Sequence, residues 1–236
     1  MTNDRISIND QIKIAEIMTD TKCLLLDFDG PICSIFSGFP ASSISDQIRE
    51  SLTREFHIRL PTEVASTDDP FEILKFSSTL GEIEVRHTES LLTECEIKAS
   101  EIAKATTGAH SLISSWHKTG RKLAIVSNNS ERAVRHYLEI HNLTDKFNAI
   151  AARTMYDPSL LKPNPGLIIS ALRSTRSSAS SATLVGDSIT DLEAALAAKT
   201  RFIGYANKSW KVGIFSRMNL SAITTSMTSL QPQPPS

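Results

Sequence analysis

The chain holds only three cysteines in 236 residues, Cys23, Cys33 and Cys95, an odd number with no metal-ligand spacing among them. Neither a disulfide framework nor a zinc site is indicated, and all three read as packing residues. No apolar run approaches the ~20 residues needed to span a bilayer. The N-terminal stretch carries Asp4, Asp10, Glu16 and Asp20, which interrupt any signal-peptide core. A cytoplasmic protein with no membrane partner is expected. A surplus of one charge is missing too: 25 Lys and Arg against 26 Asp and Glu leave a net charge of −1. No basic stripe is long enough to follow a phosphate backbone, so no nucleic acid partner is expected. The histidines (His57, His87, His110, His117, His136, His141) show no paired ligand spacing and are expected in surface or packing roles. No internal repeat occurs, and nothing in the pattern fixes an oligomeric state.

What is present is ordinary globular usage, 40% hydrophobic and 22% charged. At roughly 150 residues per domain the length allows one or two domains. Three short apolar runs, 22–28, 122–127 and 182–185, have the look of strands buried on both faces. Each ends in polar residues: Asp27-Phe28-Asp29-Gly30, Ser127-Asn128-Asn129 and Gly186-Asp187. Helical patterns lie between them. Ser130 is a candidate cap for a helix over 131–141, Pro165 suits the first turn of another, and Thr190 is placed to cap 191–198. Strands alternating with helices predict an α/β fold with a parallel sheet, in which ligands bind beyond the carboxyl ends of the strands.

The stretch 33–108 breaks this rhythm and shows helical patterns without a convincing strand. Ile44, Ile48, Leu52 and Phe56 draw one stripe along a helix, Asp69-Pro70 resembles a cap and first helical position, and a long pattern over 82–105 returns the chain. The expected division is a catalytic core of residues 1–32 and 109–220, a helical cap over 33–108, and a disordered tail over 221–236, rich in Ser, Thr, Gln and Pro. Trp116 and Trp210 are expected as partly buried anchors.

Asp27 and Asp29 alone read as an ordinary turn opening in which carboxylates accept backbone N–H groups. Ser127 alone reads as a strand end, Lys162 as a solvated charge, and Asp187 and Asp191 as favourable charges at a helix N-terminus. Their joint order alters that reading. Asp27-Phe28-Asp29-Gly30-Pro31-Ile32, then Ser127, then Lys162-Pro163-Asn164-Pro165, then Gly186-Asp187 with Asp191, resembles the ordered motifs of a haloacid dehalogenase superfamily hydrolase. The likeness is to the phosphatase type, similar to phosphoglycolate phosphatase and β-phosphoglucomutase-like members with a helical cap, and it spans 27–191.

The resemblance implies a Rossmann-like core with an inserted α-helical cap domain and a Mg²⁺-dependent phosphatase acting on a small phosphorylated substrate. Asp27 would be the nucleophile forming an aspartyl-phosphate and Asp29 the acid/base. Ser127 and the Asn128 backbone N–H would hold the phosphoryl group, with Lys162 as a second cation. The metal set would be Asp27, the Asp29 carbonyl and Asp187, with Asp191 behind them. The need for cations is physical: a carboxylate approaching a phosphate pays about 4 kcal/mol per unit pair at ~4 Å and an effective dielectric of ~20.

One departure is Pro31, where members commonly carry Thr or Val; its missing N–H is expected to alter the loop but not the chemistry. The cap cations Arg49, Arg54, Arg59 and Arg86 are assigned no role. Three other functions compete: a dehalogenase proper, which lacks the second acid; a phosphosugar mutase; and a catalytically idle binding module.

Overall fold

Buried strands and the alternation of their side chains set the architecture. The computed structural model describes residues 7–154 and 157–232. Asp10 accepts the Lys13 amide and starts α1 (Gln11–Asp20), which leads to β1 (Cys23–Leu26). Leu24 and Leu26 enter one apolar cluster, Cys23 and Leu25 another. A strand covered on both faces has no polar side to show, which is why its sequence reads as an unbroken apolar run.

The chain then leaves the sheet. β2 (Cys33–Ser34) leads to α2 (Ala41–Arg54), α3 (Thr62–Ser66), α4 (Pro70–Ser77) and α5 (Glu82–Ile102), and β3 (Lys104–Ala105) brings it back antiparallel to β2. Ile44, Ile48 and Leu52 pack with Ile73, Leu74, Val85, Leu92 and Cys95 in a core separate from the sheet. Asp69 caps α4 with Pro70 at its start, as expected. The sequence expectation of no strand over 33–108 is corrected by β2 and β3, which tie the two ends of the insertion together; elements of two residues show no periodicity. For the same reason the helix expected over 82–105 stops at Ile102.

The remainder alternates: α6 (Ala109–Lys118), β4 (Lys122–Ser130), α7 (Glu131–Ile140), β5 (Ala149–Arg153), α8 (Gly166–Thr175), β6 (Ala182–Gly186), α9 (Ile189–Ala197), β7 (Arg201–Tyr205), α10 (Ser209–Phe215) and β8 (Ala222–Thr224). The six-stranded sheet is parallel throughout, in the order β5-β4-β1-β6-β7-β8. Helices α1, α6 and α7 pack on one face, α8, α9 and α10 on the other. The strand order turns at β1, between β4 and β6, and opens a crevice beyond their carboxyl ends.

The tail expected over 221–236 is corrected by β8, whose Ala222-Ile223-Thr224 pairs with β7, and by the buried Met227 and Leu230. Polar composition hid four apolar residues, Ala222, Ile223, Met227 and Leu230, that meet the core; Gln233 to Ser236, named in the same expectation, lie outside the described residues. Deleting 222–236 is expected to cost at least about 4 kcal/mol in urea unfolding, since a fully buried apolar side chain contributes ~1.5–3 kcal/mol. An unchanged midpoint would return this segment to a tail. Trp116 is fully buried, its indole N–H on the Lys122 carbonyl at 2.9 Å, whereas Trp210 is 57% exposed, so neither is the half-buried anchor expected. Among the described residues no helix is long and apolar enough to cross a membrane.

Candidate active site

The ends of β1 and β6, the last part of β4 and the loop before α8 bring Asp27, Asp29, Asp187, Ser127, Asn128 and Lys162 to one cleft, with Asp191 behind its lining. β1 stops at Leu26, so Asp27 and Asp29 reach the cleft from the turn that follows the strand. The turn is closed by the Gly30 amide on the Cys33 carbonyl (2.7 Å) and by the Ile32 and Cys33 amides on the Phe28 carbonyl. Residue 31 is asked for no N–H, which is how Pro31 is accommodated. Gly30 has φ +98°, and a Cβ on it would lie 2.4 Å from the Asp187 carboxyl carbon. Only glycine satisfies both constraints.

Asp27 is buried, with Oδ1 accepting the Phe28 amide at 2.7 Å and the Lys162 ammonium at 2.8 Å. Asp29 Oδ1 accepts the Ile35 amide at 3.0 Å. Lys162 is itself buried and donates to Asp191 Oδ1 at 2.5 Å and to the Val126 carbonyl at 3.1 Å.

Asn128 holds Lys162 by its backbone: the amide side chain accepts from the Lys162 N–H at 2.8 Å and donates to its carbonyl at 3.2 Å. Ser127 is fully buried, and its hydroxyl donates to Asn129 Oδ1 (3.2 Å) and accepts the Asn129 amide (3.1 Å).

Asp187 follows β6, with Oδ2 taking the Lys211 ammonium and the Asn207 side-chain amide. Asp191 is saturated: Oδ1 takes Lys162, and Oδ2 takes the Asp187 amide, the Ser188 amide and the Ser188 hydroxyl. The Ser188 hydroxyl also accepts the Asp191 amide, so Ser188, not Thr190, caps α9, because a Ser-x-x-Asp capping box satisfies two amides at once.

A cleft of about 210 Å³ is lined by Asp27, Asp29, Ser127, Asn128, Lys162 and Asp187, and by Asp69, Phe71, Glu72 and Lys75 from the helical insertion. The loop carrying Lys162 packs on that insertion through the buried Leu161.

The sequence model of the haloacid dehalogenase-like hydrolases matches residues 65–205, more than half of the chain. The chain belongs to the haloacid dehalogenase-like hydrolases. A comparison with curated proteins finds no match. Among solved structures, a hydrolase from Pseudomonas syringae aligns at TM-score 0.65 and 18% identity over 88% of this chain and 95% of its own. CbbY from Rhodobacter sphaeroides, solved with phosphate, gives 0.64 and 17% over 90% and 97%. A predicted phosphatase from Clostridium acetobutylicum gives 0.64 and 19% over 88% and 95%. At these identities the likeness is one of fold.

The donor set of this hydrolase suits a hard cation. Carboxylate oxygens of Asp27, Asp187 and Asp191 lie within 4.8 Å of one another, and no described residue donates to Asp27 Oδ2 or Asp187 Oδ1. Charge points the same way. Burial first, then the Asp191 charge, push the Asp27 carboxyl well above its ordinary value despite Lys162. Burial and the Asp187 charge push Asp29 up to about 6, and burial raises Asp187 against the pull of Lys211. Burial works against the Lys162 charge, but Asp191 and Asp27 more than offset it and keep the side chain cationic. The four motif acids Asp27, Asp29, Asp187 and Asp191 face only the Lys162 and Lys211 ammoniums, which leaves room for a divalent ion that Asp27 and Asp187 would hold through oxygen.

Several residues at the site have no signal in the sequence. Arg153 pairs with Glu89 and Glu96 of α5 and donates to the Asn128 carbonyl at 3.0 Å; Glu96 also accepts the Asn129 side chain at 3.0 Å and the Ser130 amide at 2.9 Å. This buried network braces the end of β4 against the insertion. The α4 face was legible only as a helix start. Arg49, Arg54, Arg59 and Arg86 are not among the residues that line the cleft.

Proposed function

We propose that this haloacid dehalogenase-like hydrolase is a Mg²⁺-dependent phosphatase acting on a small phosphate monoester. The observation that carries the reading is the Asp27–Lys162 pair at 2.8 Å inside one cleft with Asp29, Ser127 and Asp187. The Asp27 carboxylate attacks phosphorus, and the bond to the leaving oxygen breaks as Asp29 supplies its proton. A carboxyl held near pH 6 suits that exchange. Asp29 then takes a proton from water, which attacks the same phosphorus; phosphate leaves and the Asp27 carboxylate is regenerated. The Ser127 hydroxyl, turning its proton from Asn129 Oδ1, and the Asn128 N–H hold the phosphoryl oxygens, and Lys162 offsets their charge. Bound Mg²⁺ would supply further charge neutralisation at the phosphoryl group, held by Asp27, the Asp29 carbonyl and Asp187, with Asp191 anchoring Lys162 behind them. Residues 33–108 act as a cap that closes on the leaving group through α4.

Phosphate release from sugar phosphates, nucleotides, phosphoglycolate and an aryl phosphate tests the reading. Turnover of at least one, abolished by EDTA and restored by Mg²⁺, is expected. Silence across the panel with Mg²⁺ present would overturn it.

A stability prediction follows from the crowded acids. Asp29 rises from an ordinary 3.8 to about 6, so between those values the folded chain binds more protons than the unfolded one. Stability in EDTA therefore falls as pH rises from about 4 to about 6, by about 2 kcal/mol for Asp29 alone, and stays low above that. Asp27 and Asp187 shift in the same direction. Melting in EDTA is expected to be lower at neutral pH than at about pH 5, and Mg²⁺ at neutral pH to close the gap. A melting temperature that rises with pH in EDTA would show that the acids are not crowded.

A further inference from the structure

Lys211 belongs to none of the motifs that carry the family resemblance, yet it is the ammonium on Asp187. It projects from α10 with its side chain 12% exposed, against 16% for Asp187. Asn207 donates to the same oxygen, Oδ2, at 3.1 Å. Lys162 is committed elsewhere, to Asp27, Asp191 and the Val126 carbonyl. Lys211 is therefore the cation that neutralises the carboxylate best placed to hold a metal.

We propose that Lys211 is an internal counter-cation of Asp187, so that a divalent ion loads the cleft in competition with it and α10 sets the metal affinity. This rests on the proposed reading of Asp27 and Asp187 as metal-holding residues. Two positive groups sharing one carboxylate repel, and the repulsion is poorly screened because both partners are largely buried. The ammonium has somewhere to go. A cavity of about 250 Å³ beside Asp187 is lined by Ile189, Trp210, Lys211, Ile214 and Phe215. The Lys211 ammonium is already 5.4 Å from the Trp210 ring centroid, on the side where an aromatic face receives a cation. Metal loading thus moves a charge next to an exposed tryptophan, while Trp116 is buried elsewhere.

Calorimetric titration of MgCl₂ into the wild type, Lys211→Met and Lys211→Arg tests this. The Met variant is expected to bind about tenfold more tightly, and the Arg variant within about twofold of wild type. Lys211→Gln serves if circular dichroism shows the Met variant unfolded. Trp210 fluorescence is expected to change on Mg²⁺ addition to the wild type, and to change far less in Lys211→Met. Asn207→Ala, which removes a neutral donor from the same oxygen, is expected to leave binding unchanged or weaker. Equal or weaker binding by Lys211→Met and Lys211→Gln overturns the role of Lys211 alone. Equal tightening in Asn207→Ala does so as well, because loosening Asp187 would then suffice. If none of the proteins binds Mg²⁺, the metal reading falls and the inference with it.

Discussion

Asp27→Asn is expected to lose at least about 10⁴-fold in phosphatase turnover while melting above the wild type. The first effect follows from the nucleophile: a neutral amide does not form the acyl-phosphate, and removal of a nucleophile in comparable covalent mechanisms costs ~10⁴–10⁶-fold. The second follows from burial. The ionised Asp27 carboxylate is buried beside Asp191, with which it shares one ammonium, and its raised pKa means that charging it works against the folded state. An amide of the same shape removes that charge, while Lys162 keeps Asp191 at 2.5 Å. Activity lost together with a lower melting temperature would leave the nucleophile assignment unsupported, because misfolding would explain both. Residual turnover within tenfold of wild type would end it outright. An opposite response in activity and stability marks a residue placed for chemistry at some expense to the fold.

The sequence made legible whatever local chemistry dictates. β1 was readable because both faces are buried and no polar alternation interrupts Cys23 to Leu26. The motif residues of the cleft were readable because acids, hydroxyl and lysine recur along the chain in a fixed order. Ser130 and Asp69 were readable as caps because capping is settled within three residues. What stayed hidden depends on partners distant in the chain. Glu96 and Arg153 are of charged types that are seldom fully buried, yet they are buried together, 57 positions apart. Asp191 read as a helix-dipole charge or metal partner, whereas its first duties are to cap α9 and anchor Lys162. Lys211 sits in an unremarkable stretch, and only the β7-to-α10 connection brings it to Asp187. β8 was lost because its three residues lie in a Ser- and Thr-rich segment whose composition dominates any window.

Lys162→Met is expected to destabilise the protein by about 3–5 kcal/mol as well as to abolish turnover, the cost of removing one partner from buried charges. The methionine fills much of the same volume, so the loss is electrostatic rather than a cavity. Asp27 and Asp191 remain buried, facing each other without the ammonium that now lies 2.8 Å from one and 2.5 Å from the other. Two consequences separate this from general disruption. Lowering the pH should recover part of the loss, since protonation of either acid relieves the repulsion. Adding Asp27→Asn should recover part of it as well, so that the double variant is more stable than the sum of the singles by about 1–2 kcal/mol, a coupling typical of residues in contact. Urea unfolding of the four proteins measures that coupling. Strict additivity would mean that Lys162 contributes by the packing of its methylenes and that the charge balance assigned to the cleft is wrong. A positive coupling would show that one ammonium holds both the proposed nucleophile and the α9 anchor in place.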